Sequence, residues 1–155
     1  MAKLSADMKR LVERQRLGFV ATVCSDGTPS VSPKGTVSIL DDEHLIFADI
    51  RSPGTVANLR TNPSVEVNVV DHFIRKGYRF KGTARVFESG PDFDRHVEFF
   101  AKRGVFDAPG RIRAIVTIHV DHAQPLISPG YDHVPDEATA RAYWLKYYVG
   151  EAGAV

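Results

Sequence analysis

The chain has 155 residues, a net charge of +1 and 43% hydrophobic residues, which is the size and composition of one globular domain with its own core. This balanced charge gives no reason to expect nucleic acid or an anionic membrane as a partner, and no apolar run is long enough to span a membrane. Cys24 is the only cysteine and the charged N-terminal segment has no apolar core, so we expect no disulfide, no signal peptide and a cytoplasmic protein.

The first half of the chain alternates short apolar runs with turn residues. Leu4, Met8 and Val12 recur at helical spacing and predict an amphipathic helix that ends near Gly18. The turn over residues 25–27 joins two strands as a hairpin. The strands predicted here are Phe19–Cys24, then Pro29–Lys34 with a continuation over Gly35–Leu40, and then His44–Asp49.

The second half mixes helices with longer strands. Alternation of Val65, Val67 and Val69 with polar residues indicates a strand with one buried face. The elements predicted here are a helix over Ser52–Arg60, strands beginning at Ser64, Gly77 and Ala114, a helix after Pro91, a loop over Gly104–Arg111, and a tail helix over Asp136–Tyr148.

These elements favour a mainly β, α+β fold. About six strands joined by tight turns leave too few helices for parallel crossovers, so we predict a six-stranded antiparallel barrel with helices outside it. No domain boundary is visible in 1–155, and the segment of about 128–155 forms a helical tail. Apolar residues exceed what one core readily absorbs, which predicts a homodimer; the residues that prompt this are Val65, Val67, Val69, Phe73, Tyr78, Phe99 and Phe106.

The turn after the strand His44–Asp49 is the strongest candidate for a binding site. Ser52 suits a helix N-cap and Pro53 the first helical position. Amides at such a helix start lack intrahelical partners and attract anions, so a phosphate is expected beside Arg51 and Thr55, although most such starts serve only as caps.

Other basic residues come from separate strands. Arg79 and Lys81 share one strand face, and either form a solvated surface or help to neutralise a phosphate dianion. Lys34, at a strand end, has the same two interpretations. The chain contains no Walker or dinucleotide-binding glycine motif, so a nucleotide would have to bind at strand ends and at the Ser52 helix.

Metal and nucleophile chemistry are the alternatives. His119-Val-Asp121-His122 is a metal or haem candidate, but on a strand His122 points away from the other two side chains, and polar residues of an exposed edge strand explain the pattern equally well. Cys24 ends an apolar strand, where cysteine usually behaves as a small hydrophobe.

The segments V-S-P-K-G-T, F-A-D-I-R-S-P-G-T-V-A-N-L-R-T-N-P-S-V and F-K-G-T-A-R-V resemble the FMN-binding split barrels of the pyridoxamine 5'-phosphate oxidase-like superfamily, over roughly Leu17–Ile127. The resemblance implies a homodimeric Greek-key split barrel with FMN in a cleft shared by the subunits. The implied FMN contacts are Ser32, Pro33, Lys34 and Gly35 near the ring or ribityl chain, Ala48, Asp49 and Ile50 at the ring edge, and Arg51, Ser52, Thr55 and Asn58 at the phosphate or ribityl hydroxyls. Arg79 and Lys81 are added to the predicted cofactor site because of their charge and shared strand face.

One departure from the family matters. True pyridoxamine phosphate oxidases carry an Arg-Lys pair before the helix, where this chain has Gly54-Thr55. The resemblance therefore implies FMN-dependent redox chemistry on another small molecule rather than vitamin oxidation. A non-catalytic flavin carrier or sensor is the alternative, and a haem or metal protein is the third possibility. The weaker neutralisation of the phosphate charge also leaves another flavin, a deazaflavin or no cofactor open.

Overall fold

The computed structural model describes residues 3–104 and 109–150. The helices are α1 (Ala6–Gln15), α2 (Pro53–Thr61), α3 (Pro91–Lys102) and α4 (Glu137–Gly150), with short 3₁₀ turns at Pro109–Arg111 and Pro129–Asp132. The strands are β1 (Gly18–Val23), β2 (Pro29–Lys34), β3 (Ser38–Ile39), β4 (His44–Asp49), β5 (Ser64–Asp71), β6 (Lys76–Phe87) and β7 (Ala114–Ile127). None of the helices in these described ranges has the length and apolarity to cross a bilayer.

The sheet confirms the predicted antiparallel barrel but has seven strands rather than six, in the order β2-β1-β5-β6-β7-β4-β3. The difference lies after Lys34, where we expected one continuous strand. The chain turns at Gly35 and Thr36 instead, and β3 pairs with β4 at the opposite edge of the sheet from β2. The turn is held because the Thr36 hydroxyl donates to the Ala48 carbonyl at 3.1 Å and accepts from the Ala48 amide at 2.9 Å.

The main core lies inside the curled sheet and under α1. Val65, Val67 and Val69 point inward and are almost fully buried, together with Phe47 and Phe80. These valines therefore give no support to the predicted homodimer, because the barrel and α1 bury them within one chain. Phe106 from the same argument lies outside the described residues.

A second apolar cluster forms between β4, β7 and α3. Ile46 and Ile115 face outward from the barrel and pack under Phe100 of α3. Both faces of β4 are thus buried, which explains why its sequence L-I-F-A is an unbroken apolar run.

The tail packs against the hairpin between β5 and β6. Tyr131 donates its hydroxyl to the Ile74 carbonyl at 2.7 Å. Since Lys76 pairs with Ile127 at one end of β7 and Asp49 with Ala114 at the other, the tail lies far from the α2 start of its own chain. The predicted aromatic stripe is mostly exposed and only its central residue is half-buried; its members are Tyr143, Trp144 and Tyr147.

Candidate functional site

The start of α2 is organised by Asp49, the last residue of β4. Its carboxylate accepts the amide of Ser52 at 2.7 Å. Ser52 occupies the predicted N-cap position and Pro53 begins the helix, but the Ser52 hydroxyl makes no capping hydrogen bond. The predicted serine cap is therefore wrong in its chemistry, because the carboxylate three residues earlier holds this turn.

The next amides at the α2 start have no acceptor. Among the described residues, no hydrogen bond reaches the Gly54 or Thr55 amide, and the first helical bond runs from Val56 to the Ser52 carbonyl at 3.4 Å. A Cβ added at Gly54 would meet no atom within 4 Å. The helix therefore has two amides without acceptors and the positive end of its dipole at this start, and the space beside Gly54 is open.

Lys34 is a buried cation close to this helix start. Its side chain lies at the end of β2 with only 5% relative exposure, and its Nζ donates to the Ser32 hydroxyl at 2.7 Å. An ammonium has three donors, and no other acceptor for it occurs among the described residues. Burial lowers the pKa of Lys34, and the charge of Asp49 opposes that shift. The ammonium is therefore short of acceptors and of compensating negative charge.

These contacts bring part of the predicted set together. Lys34 and Ser32 are linked by a hydrogen bond, Asp49 acts on Lys34 electrostatically, and Asp49 also holds the Ser52 turn. Thr55 is buried in the first turn of α2. This group, which we call the α2-start site, contains Ser32, Lys34, Asp49, Ser52 and the amides of Gly54 and Thr55.

Two predicted residues lie around this site without joining it. Asn58, in the second turn of α2, donates its amide to the Thr22 hydroxyl at 3.0 Å and faces β1. Pro33 pairs with Phe19 on the outer face of β1 and β2. Gly35, by contrast, has no atom within 4 Å of an added Cβ, so backbone next to Lys34 is open to a ligand.

Arg79 and Lys81 share one face of β6, as predicted, but both are directed at Glu66 of β5. The Arg79 Nε lies 2.9 Å from one carboxylate oxygen, without hydrogen-bond alignment, and the Lys81 Nζ lies 3.8 Å from the other. One glutamate thus offsets much of their charge, and no contact links them to the α2-start site in the described residues.

A second basic group was missed by the sequence analysis. Arg51, Arg111 and Arg113 line one open cavity of about 200 Å³ with Ile50 and Gly110. The sequence signal was the R-I-R spacing before β7, which places two arginines on one side of an extended chain. Arg111 and Arg113 come close to Arg51 because β4 pairs with β7, and the sequence alone did not predict this pairing.

His119 and Asp121 lie on the same side of β7, as predicted, but the strand is not at an edge of the sheet. His119 Nδ1 lies 3.0 Å from Asp121 Oδ1, and His122 is exposed. Strand β7 is interior rather than an edge strand. The neighbour of His119 is His44 of β4, which we had set aside as scattered; the ring centroids are 5.0 Å apart, and His44 Nδ1 lies 2.9 Å from Asp41.

The family profile described as Pyridoxamine 5'-phosphate oxidase matches residues 4–124. Among solved structures, HupZ of Group A Streptococcus is 31% identical, with a TM-score of 0.69 over 80% of this chain and 94% of that one. A Lactobacillus delbrueckii protein classed with the pyridoxamine 5'-phosphate oxidases is 26% identical, with a TM-score of 0.65 over 79% of this chain and 93% of that one. Among curated proteins, the uncharacterised MJ0282 of Methanocaldococcus jannaschii is 29% identical over 92 residues. The match covers 58% of this chain and 60% of that protein, so the chain spans less than two thirds of the length of this relative.

More distant structures share the fold and differ in what their names say they bind. An FMN-binding protein of Syntrophomonas wolfei is 15% identical, with a TM-score of 0.61 over 76% of this chain and 82% of that one. HutZ, a haem storage protein of Vibrio cholerae, is 17% identical, with a TM-score of 0.64 over 81% of this chain and 95% of that one. At these identities the likeness concerns the fold alone.

Proposed function

Since the chain belongs to the pyridoxamine 5'-phosphate oxidase family, we propose that it is an FMN-binding flavoprotein whose cofactor binds at the α2-start site. The observation that carries this proposal is the buried Lys34 ammonium, which is short of acceptors and is linked through Asp49 to a helix start with free amides. Donors without acceptors beside open backbone fit an anionic, acceptor-rich ligand such as a flavin mononucleotide.

Each part of the site has a distinct task in this proposal. The amides of Gly54 and Thr55 donate to phosphate or ribityl oxygens, and the buried Lys34 ammonium contributes a positive charge near them. Asp49 fixes the turn by accepting the Ser52 amide. By the family resemblance, the remaining contacts along the ring come from Ser32, Gly35, Ala48 and Ile50, with Arg51 and Ser52 near the phosphate or ribityl chain. Pro33 and Asn58, which the resemblance also implies, lie beside this site, and Asn58 is bonded to Thr22.

The reaction class follows from the cofactor and the departures from the oxidases. A bound flavin supplies hydride or electron transfer, while the protein orients it and sets the local charge. Gly54 and Thr55 stand where the vitamin oxidases have an Arg-Lys pair, so we propose an oxidoreductase for another small molecule. A flavin carrier or sensor remains the alternative, and turnover of the holoprotein with a reduced nicotinamide nucleotide distinguishes the two.

We also propose that the protein is a homodimer with the flavin cleft shared between subunits. The support is an apolar outer face on β1 and β2, where Phe19 is 47% exposed and Val31 is 62% exposed. Phe19 pairs with Pro33 across the strands, and Val31 with Ala21, so these side chains form one continuous patch. Sedimentation should give about twice the chain mass of 17.2 kDa, whereas a monomer that binds flavin would contradict the shared cleft.

The His44–His119 pair supports a second candidate function, binding of a transition metal or haem iron. Each ring has its Nδ1 beside a carboxylate, which leaves Nε2 as the available ligand atom and is a common setting for metal-binding histidine. No set of three or more possible metal ligands occurs in the described part of the chain, so external ligands would have to complete the coordination. A Soret band in the purified protein would support the haem form of this candidate.

The test of the flavin proposal is a fluorescence titration of the apoprotein with FMN. Lys34→Met removes the buried charge and keeps the length of the side chain, and should weaken FMN binding roughly tenfold to a hundredfold, the scale of a hydrogen bond to a charged group. Lys81→Met is the matched control, since it removes the same charge from an exposed residue. Equal dissociation constants for parent and Lys34→Met would place the cofactor elsewhere, and an apoprotein that binds no FMN would overturn the proposal.

A further inference from the structure

Three arginines meet at the end of the β4–β7 pair. Arg51 follows β4, and Arg111 and Arg113 precede β7; all three are exposed and line the same cavity of about 200 Å³. We call this group the arginine cluster. No carboxylate or aromatic ring is paired with any of the three among the described residues.

Most arginines outside the cluster are paired with a carboxylate or lie near an aromatic ring. Carboxylates pair with Arg10, Arg60, Arg79, Arg95, Arg103 and Arg141, and aromatic rings lie near Arg75 and Arg85. Apart from the cluster, only Arg14 and Arg16 have no such partner in the described part of the chain.

This grouping has an electrostatic consequence. Guanidinium groups gathered around one cavity repel each other, and an anion in that cavity relieves the repulsion. The fork of donors on each guanidinium matches the oxygens of a phosphate in a way that a lysine does not. The cavity is therefore suited to a phosphate group rather than to a neutral molecule.

The cluster is also tied to the α2-start site by the backbone. Arg113 donates its amide to the Asp49 carbonyl at 2.9 Å, and the Asp49 carboxylate accepts the Ser52 amide. Arg51 immediately precedes Ser52. Asp49 thus connects the two groups of donors, because its carbonyl binds the amide of Arg113 and its carboxylate binds the amide of Ser52. This is the helix start at which Gly54-Thr55 stands where the vitamin oxidases have an Arg-Lys pair.

We propose that the arginine cluster binds a phosphate group of a nucleotide ligand and supplies the positive charge that Gly54 and Thr55 do not. The assignment to a nucleotide rests on the proposed flavin function, whereas the phosphate site rests on the arginines alone. The phosphate belongs either to the flavin itself or to a second nucleotide that reacts with it. Both sources offer the same chemistry, so they are separated by experiment.

The first measurement concerns the phosphate site without any flavin. Calorimetric titration of the apoprotein with inorganic pyrophosphate should show binding by the parent and a loss of at least tenfold in affinity for the double variant Arg111→Gln/Arg113→Gln. The control is Arg14→Gln/Arg16→Gln, which makes the same change in net charge at other unpaired arginines and should bind like the parent. Failure of the parent to bind, or equal binding by the cluster variant, would overturn the site.

The second measurement identifies the source of the phosphate. If the cluster holds the flavin phosphate, the cluster variant loses affinity for FMN but keeps that for riboflavin, which lacks the phosphate. If it holds the phosphate of a second reactant, FMN affinity stays unchanged and the KM for a reduced nicotinamide nucleotide rises instead. A parent protein that binds pyrophosphate but no flavin would sustain the phosphate site and overturn only the flavin proposal.

Discussion

Arg141 of α4 donates to the carboxylate of Asp71 at 2.9 Å, and this contact ties the tail to the β5–β6 hairpin. Asp71 is only 3% exposed and also accepts the amides of Phe73 and Ile74, at 2.9 Å and 3.3 Å. One buried carboxylate therefore shapes the hairpin turn and anchors the C-terminal helix.

Replacing Asp71 by asparagine should loosen both elements. The variant keeps the size of the side chain but loses the charge that pairs with Arg141, and we expect a loss of about 1–3 kcal/mol in unfolding free energy. Glu137→Gln, which removes an exposed partner of Lys76, should cost less than about 1 kcal/mol. Urea unfolding of both variants checks the difference, and equal costs would show that Asp71 is no anchor.

The same carboxylate should make the hairpin sensitive to acid. Burial alone would raise the pKa of Asp71, but the bonds from Arg141 and from the turn amides outweigh it and lower that pKa below 3.8. A lowered folded-state pKa means that this stabilisation is complete above the unfolded value and is lost as the pH falls through the folded one. The protection of the hairpin amides against hydrogen exchange, measured relative to the intrinsic exchange rate at each pH, should therefore fall only below about pH 4, the range of an unperturbed aspartate.

Removing the tail from Pro129 onward tests whether it shapes the flavin site. Because the tail packs on the hairpin, at the other end of β7 from Asp49, we expect the truncated protein to be less stable but to bind FMN with unchanged affinity and to reoxidise it at an unchanged rate. A change in acceptor selectivity with the barrel intact would instead place the tail, from either subunit, at the cleft.

A carboxylate at the α2 start should repel the FMN phosphate. We expect Thr55→Glu to weaken FMN binding by roughly 1–3 kcal/mol, or about tenfold to a hundredfold. Thr55 is buried, so Thr55→Gln serves as the control for size without charge. The fluorescence titration must separate the two variants; the same loss in both would point to steric damage rather than to a nearby phosphate.

The sequence predicted local features of the fold better than those that depend on distant pairing. Alternation identified the buried face of Val65, Val67 and Val69, because period-2 patterning is a local property. It did not show that Gly35 and Thr36 turn the chain from one edge of the sheet to the other, because this turn is held by a contact with Ala48.

The candidate site shows the same difference between features set by neighbouring residues and features set by the pairing of distant strands. The helix start at Ser52 was readable because capping and proline signals lie within a few residues. The meeting of Arg51 with Arg113, and of His44 with His119, requires the register of β4 against β7, two strands that lie far apart in the sequence. The role of Asp49 in place of the Ser52 hydroxyl was also hidden, since both residues suit a turn.

Gly82 should tolerate no side chain. It lies at the bulge between β6 and β7, and a Cβ there would be 2.0 Å from the His119 carbonyl oxygen, so the backbones would have to separate. We expect Gly82→Ala to destabilise the protein by at least about 2 kcal/mol, or to prevent folding. Gly150→Ala, where the nearest atom would be 3.9 Å away, should be neutral in the same thermal unfolding measurement; a neutral Gly82→Ala would contradict this account of the bulge.

His96 should make the α3 side of the molecule sensitive to mild acid. The residue is 9% exposed, its ring centroid lies 5.1 Å from that of Phe87, and Nδ1 has no well-formed hydrogen bond among the described residues. Burial and then the charge of Arg95 lower the pKa of His96 below 6.5, and Asp92 only partly opposes them. The unfolded chain therefore binds a proton more readily than the folded one, so stability should fall as the pH drops below about 6.5 and on through the folded-state pKa.

His96→Leu removes this proton uptake and should flatten the pH dependence of urea unfolding between pH 7 and pH 5, about the range in which histidine titrates. The exposed-site variant His122→Gln should retain the parent slope, and a parent slope in His96→Leu as well would show that another group causes the acid sensitivity.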